Sequence, residues 1–283
     1  MSPLSRSHYS IIGLTKKEVW RVRKKAGFDH FSTGFPLTGM HESLDCEKCH
    51  VKGVFKNTPK NDFILISHNS DAMVIDEPKW YEERDCWNAD TTLIPNNLLR
   101  WFGQNVGIKH DKIESLPVGL ENSYNFPYER KIEKMKNIIK QPRKIINLMY
   151  MNYNVRNNIK ERERTIHLFS NKPWVTTFMG SNGYNFDGYL NNIYNHKFVL
   201  SPIGGGFESH RLWESLYVCT IPIVRRNINY SFFEDLPICF VDEWEEITEN
   251  FLNNEYVRIM NSDWNLEKLS INYWIKKIES YAV

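Results

Sequence analysis

Residues 197–226, KFVLSPIGGGFESHRLWESLYVCTIPIVRR, concentrate side chains suited to gripping a phosphate. Phe198-Val199-Leu200 reads as a strand, and Gly204, Gly205 and Gly206 follow at its C-terminal end, where they leave backbone N–H groups unobstructed. A helix over residues 208–218 then points its N-terminus at the same place, with free amides and the positive end of its dipole. Ser209 and Arg211 lie in its first turn and add a hydroxyl and a forked guanidinium, a combination that grips a diphosphate bidentately. Glu214 sits one turn beyond Arg211 on the same face, within reach of a ribose hydroxyl beside that diphosphate. The plainer alternative is a tight turn followed by a surface ion pair between Arg211 and Glu214, and spacing alone leaves both open.

Other candidates are placed by the loops they occupy. Arg156 follows a strand in Asn152-Tyr153-Asn154-Val155-Arg156, where a doubly wound sheet presents ligand-facing loops, so it is a second diphosphate candidate; otherwise it is a solvated arginine opening a charged helix. Arg225 and Arg226 also follow a strand, and their adjacency lets at most one face inward. For a general base the choice is Asp71, with His68 as runner-up, both in the loop after the strand Phe63-Ile64-Leu65-Ile66. A carboxylate there accepts a proton if partial burial raises its pKa toward working pH, whereas the alternative makes Asn69-Ser70-Asp71 a simple turn. His41 and Glu42 form a further acid/base-capable pair.

These residues need an α/β frame. The first half reads as a strand at 63–66, a short helix at 96–102 and a strand over 114–119; a charged helix spans 128–140. Gln141-Pro142-Arg143 marks a break, and beyond it strands at 144–149, 174–178, 197–201, 221–224 and 237–241 alternate with helices at 157–170, 189–195 and 208–218. In the 157–170 helix the apolar positions are Ile159, Ile166 and Phe169. Helices at 243–251 and 265–281 close the chain. Such alternation predicts a doubly wound parallel sheet, with the break at Pro142 as the domain boundary. The expected division is 1–141, 142–264 and a C-terminal helical segment 265–283.

The chain has 283 residues, with 36 Lys+Arg against 34 Asp+Glu and a net charge of +2, which disfavours a polyanion coat protein. With 41% hydrophobic residues it can build a large core, which excludes a disordered or collagen-like chain. No stretch approaches the length of a membrane span, and no signal-like segment opens the chain, so a soluble cytoplasmic protein is expected. Five scattered cysteines do not make a disulfide framework. Cys46-Glu47-Lys48-Cys49-His50 matches a haem-attachment pattern and, with His41, a partial zinc set, but it lacks the exporting context of the one and the second cysteine pair of the other. No P-loop follows any strand. Trp213 reads as core, as do most of the tryptophans, although an exposed indole beside a site would suit a sugar face.

The 197–226 segment resembles the signature of exostosin-like glycosyltransferases, glycosyltransferase family 47: Ser201-Pro202, Gly204 to Gly206, Ser209-His210-Arg211-Leu212-Trp213-Glu214 and Ile221-Pro222-Ile223-Val224. In the first half, His68-Asn69-Ser70-Asp71 and Leu116-Pro117-Val118-Gly119-Leu120-Glu121-Asn122 are similar to short members from large algal viruses, some of which transfer xylose. The resemblance implies a GT-B fold, two Rossmann-like domains facing a cleft, with the nucleotide-sugar on the C-terminal one and the last helix, 265–283, returning to the N-terminal domain. It implies inverting transfer, preferably of xylose from UDP-xylose, to a glycan or glycoprotein hydroxyl, with another donor such as GDP-fucose, or an inactive glycan-binding module, as alternatives. His210 joins the donor-binding set on this ground, and Asn69 and Ser70 become acceptor-binding candidates. An inverting mechanism needs a base for the acceptor proton and stabilisation of the leaving diphosphate. Cationic and backbone donors supply the latter without a metal, and the chain has no Asp-x-Asp motif to hold one. Viral members would place the protein in the host-cell cytoplasm.

Overall fold

The computed structural model describes residues 60–67, 73–75, 86–88, 92, 94–121, 128–178 and 185–281. His68, Asn69, Ser70 and Asp71, the His41/Glu42 pair, the Cys46/Cys49/His50 cluster and the loop from Gly180 to Gly183 lie outside the described residues. Packing divides the chain into two units: Met1–Val118 with Ser270–Val283, and Gly119–Leu269. The division falls at Gly119 rather than Pro142.

The first unit contains β1 (Phe63–Ser67), β2 (Met73–Ile75), β3 (Cys86–Asn88), β4 (Leu98–Gly103) and β5 (Ile113–Ser115). A parallel sheet of order β1-β4-β5 is accompanied by a parallel β2-β3 pair. The 96–102 segment is therefore a central strand and not the expected helix. Leu98, Trp101 and Phe102 are buried, and their i, i+3, i+4 spacing imitates a helical face. Pairing with β1 and β5 on both sides overrides that local pattern.

The second unit runs α1 (Tyr128–Ile138), β6 (Asn147–Met151), α2 (Ile159–Phe169), β7 (Val175–Thr177), α3 (Phe186–Tyr194), β8 (His196–Leu200), α4 (His210–Tyr217), β9 (Ile221–Arg225), β10 (Cys239–Val241) and α5 (Glu249–Met260). Helix α1 belongs here because its Met135 shares a core with Tyr189 and Leu190 of α3, and its Lys134 pairs with Asp187. Pro142 marks only the passage from α1 into β6.

The five strands are parallel in the order β10-β9-β8-β6-β7. Numbered within the unit, that is 2-1-3-4-5, a doubly wound order whose connections diverge between β6 and β8. Continuous apolar strands suit it, because both faces are covered. Met149, Met151, Phe198, Leu200, Ile221 and Ile223 face one core with Phe169 and Trp244, while Tyr150 and Val199 face the other with Tyr189 and Ile193. Pro222 is tolerated within β9 because β10 joins the ladder only from Ile223. Cys239 belongs to the first core, where burial pushes its thiol up to about 12.

The C-terminal helices are shorter than the sequence pattern suggests. The 243–251 segment splits: Glu243 and Glu246 form a capping box around a 3-10 turn, and Thr248 Oγ1 accepts from Phe251 N at 3.1 Å to start α5. The 265–281 segment splits likewise at Ser270, the N-cap of α6 (Ile271–Glu279). In the first unit Trp274 and Ile278 of α6 are buried, and Lys277 pairs with the buried Glu114 carboxylate. Arg100 reaches the same carboxylate at 2.8 Å. Burial alone would lower the Lys277 pKa, but the hydrogen bond and charge of Glu114 carry it above the ordinary lysine value. Among the described residues no helix is long and apolar enough to cross a membrane.

Helix α4 ends in a Schellman motif: Cys219 N–H donates to Leu216 O at 3.1 Å and Thr220 N–H to Ser215 O at 2.9 Å. That geometry puts Cys219 at φ 59°, the left-handed region that favours glycine. Cys219→Gly is therefore expected to stabilise the protein by about 1 kcal/mol. The measurement is a thermal melt, in which an unchanged or lower midpoint would contradict the strain assigned to this residue.

Candidate functional site

The loops that leave β6 and β8 meet at the point where the sheet's connections diverge. The β6 loop runs through Tyr153 into a 3-10 turn, Val155–Asn157, and Asn158 then caps α2 by accepting from Glu161 N at 3.3 Å. The β8 loop runs from Ser201 through the three glycines to Ser209, the N-cap of α4.

Arg162 of α2 stitches these loops together. Buried, it donates through Nε to Ile203 O at 3.0 Å and through Nη1 to Asn154 O at 2.5 Å. Asn158 Nδ2 adds a bond to Gly204 O at 3.4 Å. Sequence reasoning missed Arg162, yet a signal was there: it lies in helical phase with Ile166 and Phe169. The expected apolar position Ile159 is instead 54% exposed, and the buried residues of α2 are Glu161, Arg162, Thr165 and Phe169. The apolar stripe was misphased because two charged residues occupy it.

Tyr153 lies between two cations. The guanidinium carbons of Arg162 and Arg211 each stand 5.5 Å from its ring centroid. Its hydroxyl shares a 2.5 Å hydrogen bond with Thr165 Oγ1. Burial pushes the Tyr153 phenol up to about 12 against the pull of both arginines, so it stays neutral.

Arg211 is the chemically exposed member of the group. Its Nε and Nη1 are buried without a hydrogen-bond partner. The Ser209 hydroxyl is also buried without a partner and makes no capping bond. Leaving such donors unmade costs roughly 1–3 kcal/mol apiece. Two guanidinium groups on one ring and an orphaned hydroxyl at a helix N-terminus are chemistry suited to an anion. Arg211 and Glu214 do not form the surface ion pair considered above. Glu214, 4% exposed, accepts instead from the Tyr189 hydroxyl at 2.6 Å through Oε2.

The remaining candidates scatter. The Gly204 amide donates to Gly206 O at 3.3 Å, so it is committed within the loop rather than presented to a ligand. Gly204 matters for room: a Cβ there would stand 2.7 Å from Arg162 Nη2. Gly205 is partly buried and Gly206 buried in the same loop. His210 Nδ1 donates to Gly119 O at 2.9 Å, tying α4 to the left-handed turn that opens the unit, where Gly119 has φ 66°. Arg156 is exposed on the 3-10 turn. Arg225 pairs with Glu161 at 3.3 Å and Arg226 with Glu234 at 3.1 Å, so carboxylates already engage both. Trp213 is fully buried and donates to Glu208 Oε2 at 2.6 Å.

A second polar cluster sits at the opposite end of the sheet. Arg143 donates to the carbonyls of Tyr194, Cys219 and His196 at 2.6, 2.8 and 2.6 Å. The fully buried His196 donates from Nδ1 to Asn192 O at 2.5 Å, which leaves Nε2 to accept from Thr176 Oγ1 at 2.8 Å. Burial pushes its pKa below the ordinary histidine value.

No family model matches the chain, and no curated protein matches it. Among solved structures, a chain described as "Crystal structure of GtfA/B complex" aligns at a TM-score of 0.36 with 12% identity. The alignment covers 82% of this chain and 53% of that one, so this chain spans about half the length of the structure it matches.

Two outcomes are expected. Gly204→Ala should lower stability by about 1–3 kcal/mol, because the anchored Arg162 guanidinium has no room to yield. Denaturant melts of the two proteins check it, and equal midpoints would mean that Arg162 moves freely. For His196, folding favours the neutral ring, so its contribution is complete above the unfolded-state pKa of about 6.5 and is lost as pH falls below it. In urea melts across that window the slope should approach about 1.4 kcal/mol per pH unit and should flatten in His196→Gln.

Proposed function

We propose that the second unit binds a nucleotide-sugar by its diphosphate and that the chain is an inverting, metal-independent glycosyltransferase of GT-B architecture. The observation that carries this reading is the orphaned set Arg211 Nε, Arg211 Nη1 and Ser209 Oγ, at the start of α4 and beside the switch point of a 2-1-3-4-5 sheet. Doubly wound sheets bind ligands at that point, and helix N-termini favour phosphate. The resemblance of residues 197–226 to exostosin-like glycosyltransferases supports the same assignment and makes xylose from UDP-xylose the preferred donor.

In this reading the acceptor hydroxyl oxygen attacks the anomeric carbon of the sugar from the face opposite the diphosphate. Its proton passes to Asp71, with His68 as the alternative base. The bond from the anomeric carbon to the β-phosphate oxygen breaks, and the electron pair leaves with the nucleoside diphosphate. Arg211 and Ser209 hold the charge that grows there, the term expected to dominate catalysis. Arg156, Gly205, Gly206 and His210 complete the donor side, and Asn69 and Ser70 meet a glycan or glycoprotein acceptor. Glu214 accepts a hydrogen bond from the ribose.

The test is calorimetric titration of the full chain with UDP, UDP-xylose, GDP and GDP-fucose, followed by a transfer assay. UDP-selective binding that falls by about 30-fold or more in Arg211→Ala is the expected result, in line with loss of a charge-assisted bidentate contact. Selectivity for GDP would replace the donor by one such as GDP-fucose. Binding without transfer would leave an inactive glycan-binding module. Failure to bind any of the four, with Arg211→Ala indistinguishable from wild type, would overturn the reading.

A further inference from the structure

The buried carboxylates near the start of α4 differ in how completely the protein engages them. Glu208 accepts from Trp213 Nε1 at 2.6 Å on Oε2 and from Asn229 Nδ2 at 2.8 Å on Oε1, so both oxygens are committed. Glu214 is buried to a similar degree but is engaged on one side: Tyr189 donates to Oε2 at 2.6 Å, and among the described residues no donor reaches Oε1. Oε1 is not among the buried orphaned atoms, so one oxygen is fixed by the protein while the other stays accessible to an outside donor. The fixed oxygen also removes freedom: a Glu side chain loses rotamer entropy when ordered, and here that ordering precedes any ligand.

Tyr189 is suited to the task. It is 6% exposed, and its ring lies 6.1 Å from Phe186 in the α3 core, so its hydroxyl is held by packing rather than by solvent. The bond it makes crosses from α3 to α4, where Glu214 stands one helical turn beyond Arg211 and on the same face. A ligand whose anion rests on Arg211 has its next donors about one turn away, and a ribose carries two vicinal hydroxyls at that remove from its 5′-phosphate.

We propose that Tyr189 is a positioning residue that fixes the Glu214 carboxylate so that Oε1 accepts from a ribose hydroxyl, giving the site its preference for ribonucleotides over deoxyribonucleotides. The proposal rests on the nucleotide reading of the same site. Tyr189 touches no ligand; it acts through Glu214.

The experiment is isothermal titration of the full chain with UDP, 2′-deoxy-UDP and inorganic pyrophosphate, on wild type, Tyr189→Phe, Glu214→Ala and the double variant. Wild type should prefer UDP to the deoxy compound by about tenfold or more, as a site built around a hydroxyl rejects the analogue that lacks it. Tyr189→Phe should reduce that preference to about twofold, leave pyrophosphate affinity unchanged, and add nothing once Glu214 is alanine. An unchanged preference, or an equal loss for all three probes, overturns the role of Tyr189. Pyrophosphate binding by wild type with no preference for UDP overturns this inference while the anion site stands. Binding of neither pyrophosphate nor UDP overturns both. Should Tyr189→Phe fail to fold, Glu214→Gln serves, since its amide oxygen still accepts from Tyr189. It should keep part of the preference that Glu214→Ala loses, and equal loss in the two overturns the proposal.

Discussion

The site in the second unit depends on the burial of one cation, Arg162. Parallel strands β6 and β8 are neighbours, but their connections depart in different directions, and the loops at their ends have no backbone ladder to hold them together. Arg162 supplies the link by donating to a carbonyl in each loop, Asn154 O and Ile203 O. Burying a guanidinium is costly, and the carbonyls and the face of Tyr153 offset that cost. The rest follows from its position. The space beside Gly204 is already filled, so that residue cannot carry a side chain. The Tyr153 ring already faces one positive charge when Arg211 approaches it as a second.

The arrangement is unfavourable as it stands, because among the described residues no carboxylate pairs with Arg211. Other arginines of this unit have found one or its equivalent. Arg164 reaches Glu243 and Glu245, Arg225 reaches Glu161, Arg226 reaches Glu234, and Arg258 is bidentate to Glu255. Around α4 the carboxylates are already engaged by neutral donors: Trp213 and Asn229 hold Glu208, and Tyr189 holds Glu214. Among the described residues, nearby acids thus do not neutralise Arg211, which leaves its buried Nε and Nη1 unpartnered and supports the proposed anion site.

The parts of this picture that were legible in the sequence are those carried by local pattern. The apolar strands at 197–201 and 221–224 could only be covered on both faces, and the glycine loop leads, as its spacing predicts, into the helix that carries Arg211. The β4 segment misled because Leu98, Trp101 and Phe102 have helical spacing, and only pairing with β1 and β5 settles the matter. Arg162 escaped the sequence reading for a similar reason, since its burial within the α2 stripe is decided by packing. Proximity to a strand end favours Arg156, whereas phase along α2 favours Arg162, and spacing alone does not weigh one against the other. Tyr153 and Tyr189 were illegible because their significance lies in contacts with residues of other elements, Arg211 and Glu214.

The two ends of the second sheet provide a control on the argument from unsatisfied groups. At the N-terminal end, Arg143 and His196 are a cation and an ionisable ring placed among backbone carbonyls, as suggestive by residue type as anything at the other end. Yet Arg143 has an acceptor for each of its three guanidinium nitrogens, and both nitrogens of His196 are bonded. That cluster closes the turns between α3 and β8 and between α4 and β9, and each of its ring and guanidinium nitrogens is already engaged. At the C-terminal end the same kind of residue, Arg211, is buried with two donors unmade beside a hydroxyl in the same condition. Residue type is equal at the two ends and satisfaction is not. It is the incomplete hydrogen bonding at the C-terminal end, more than the presence of arginine, that distinguishes the two clusters and supports the proposed site.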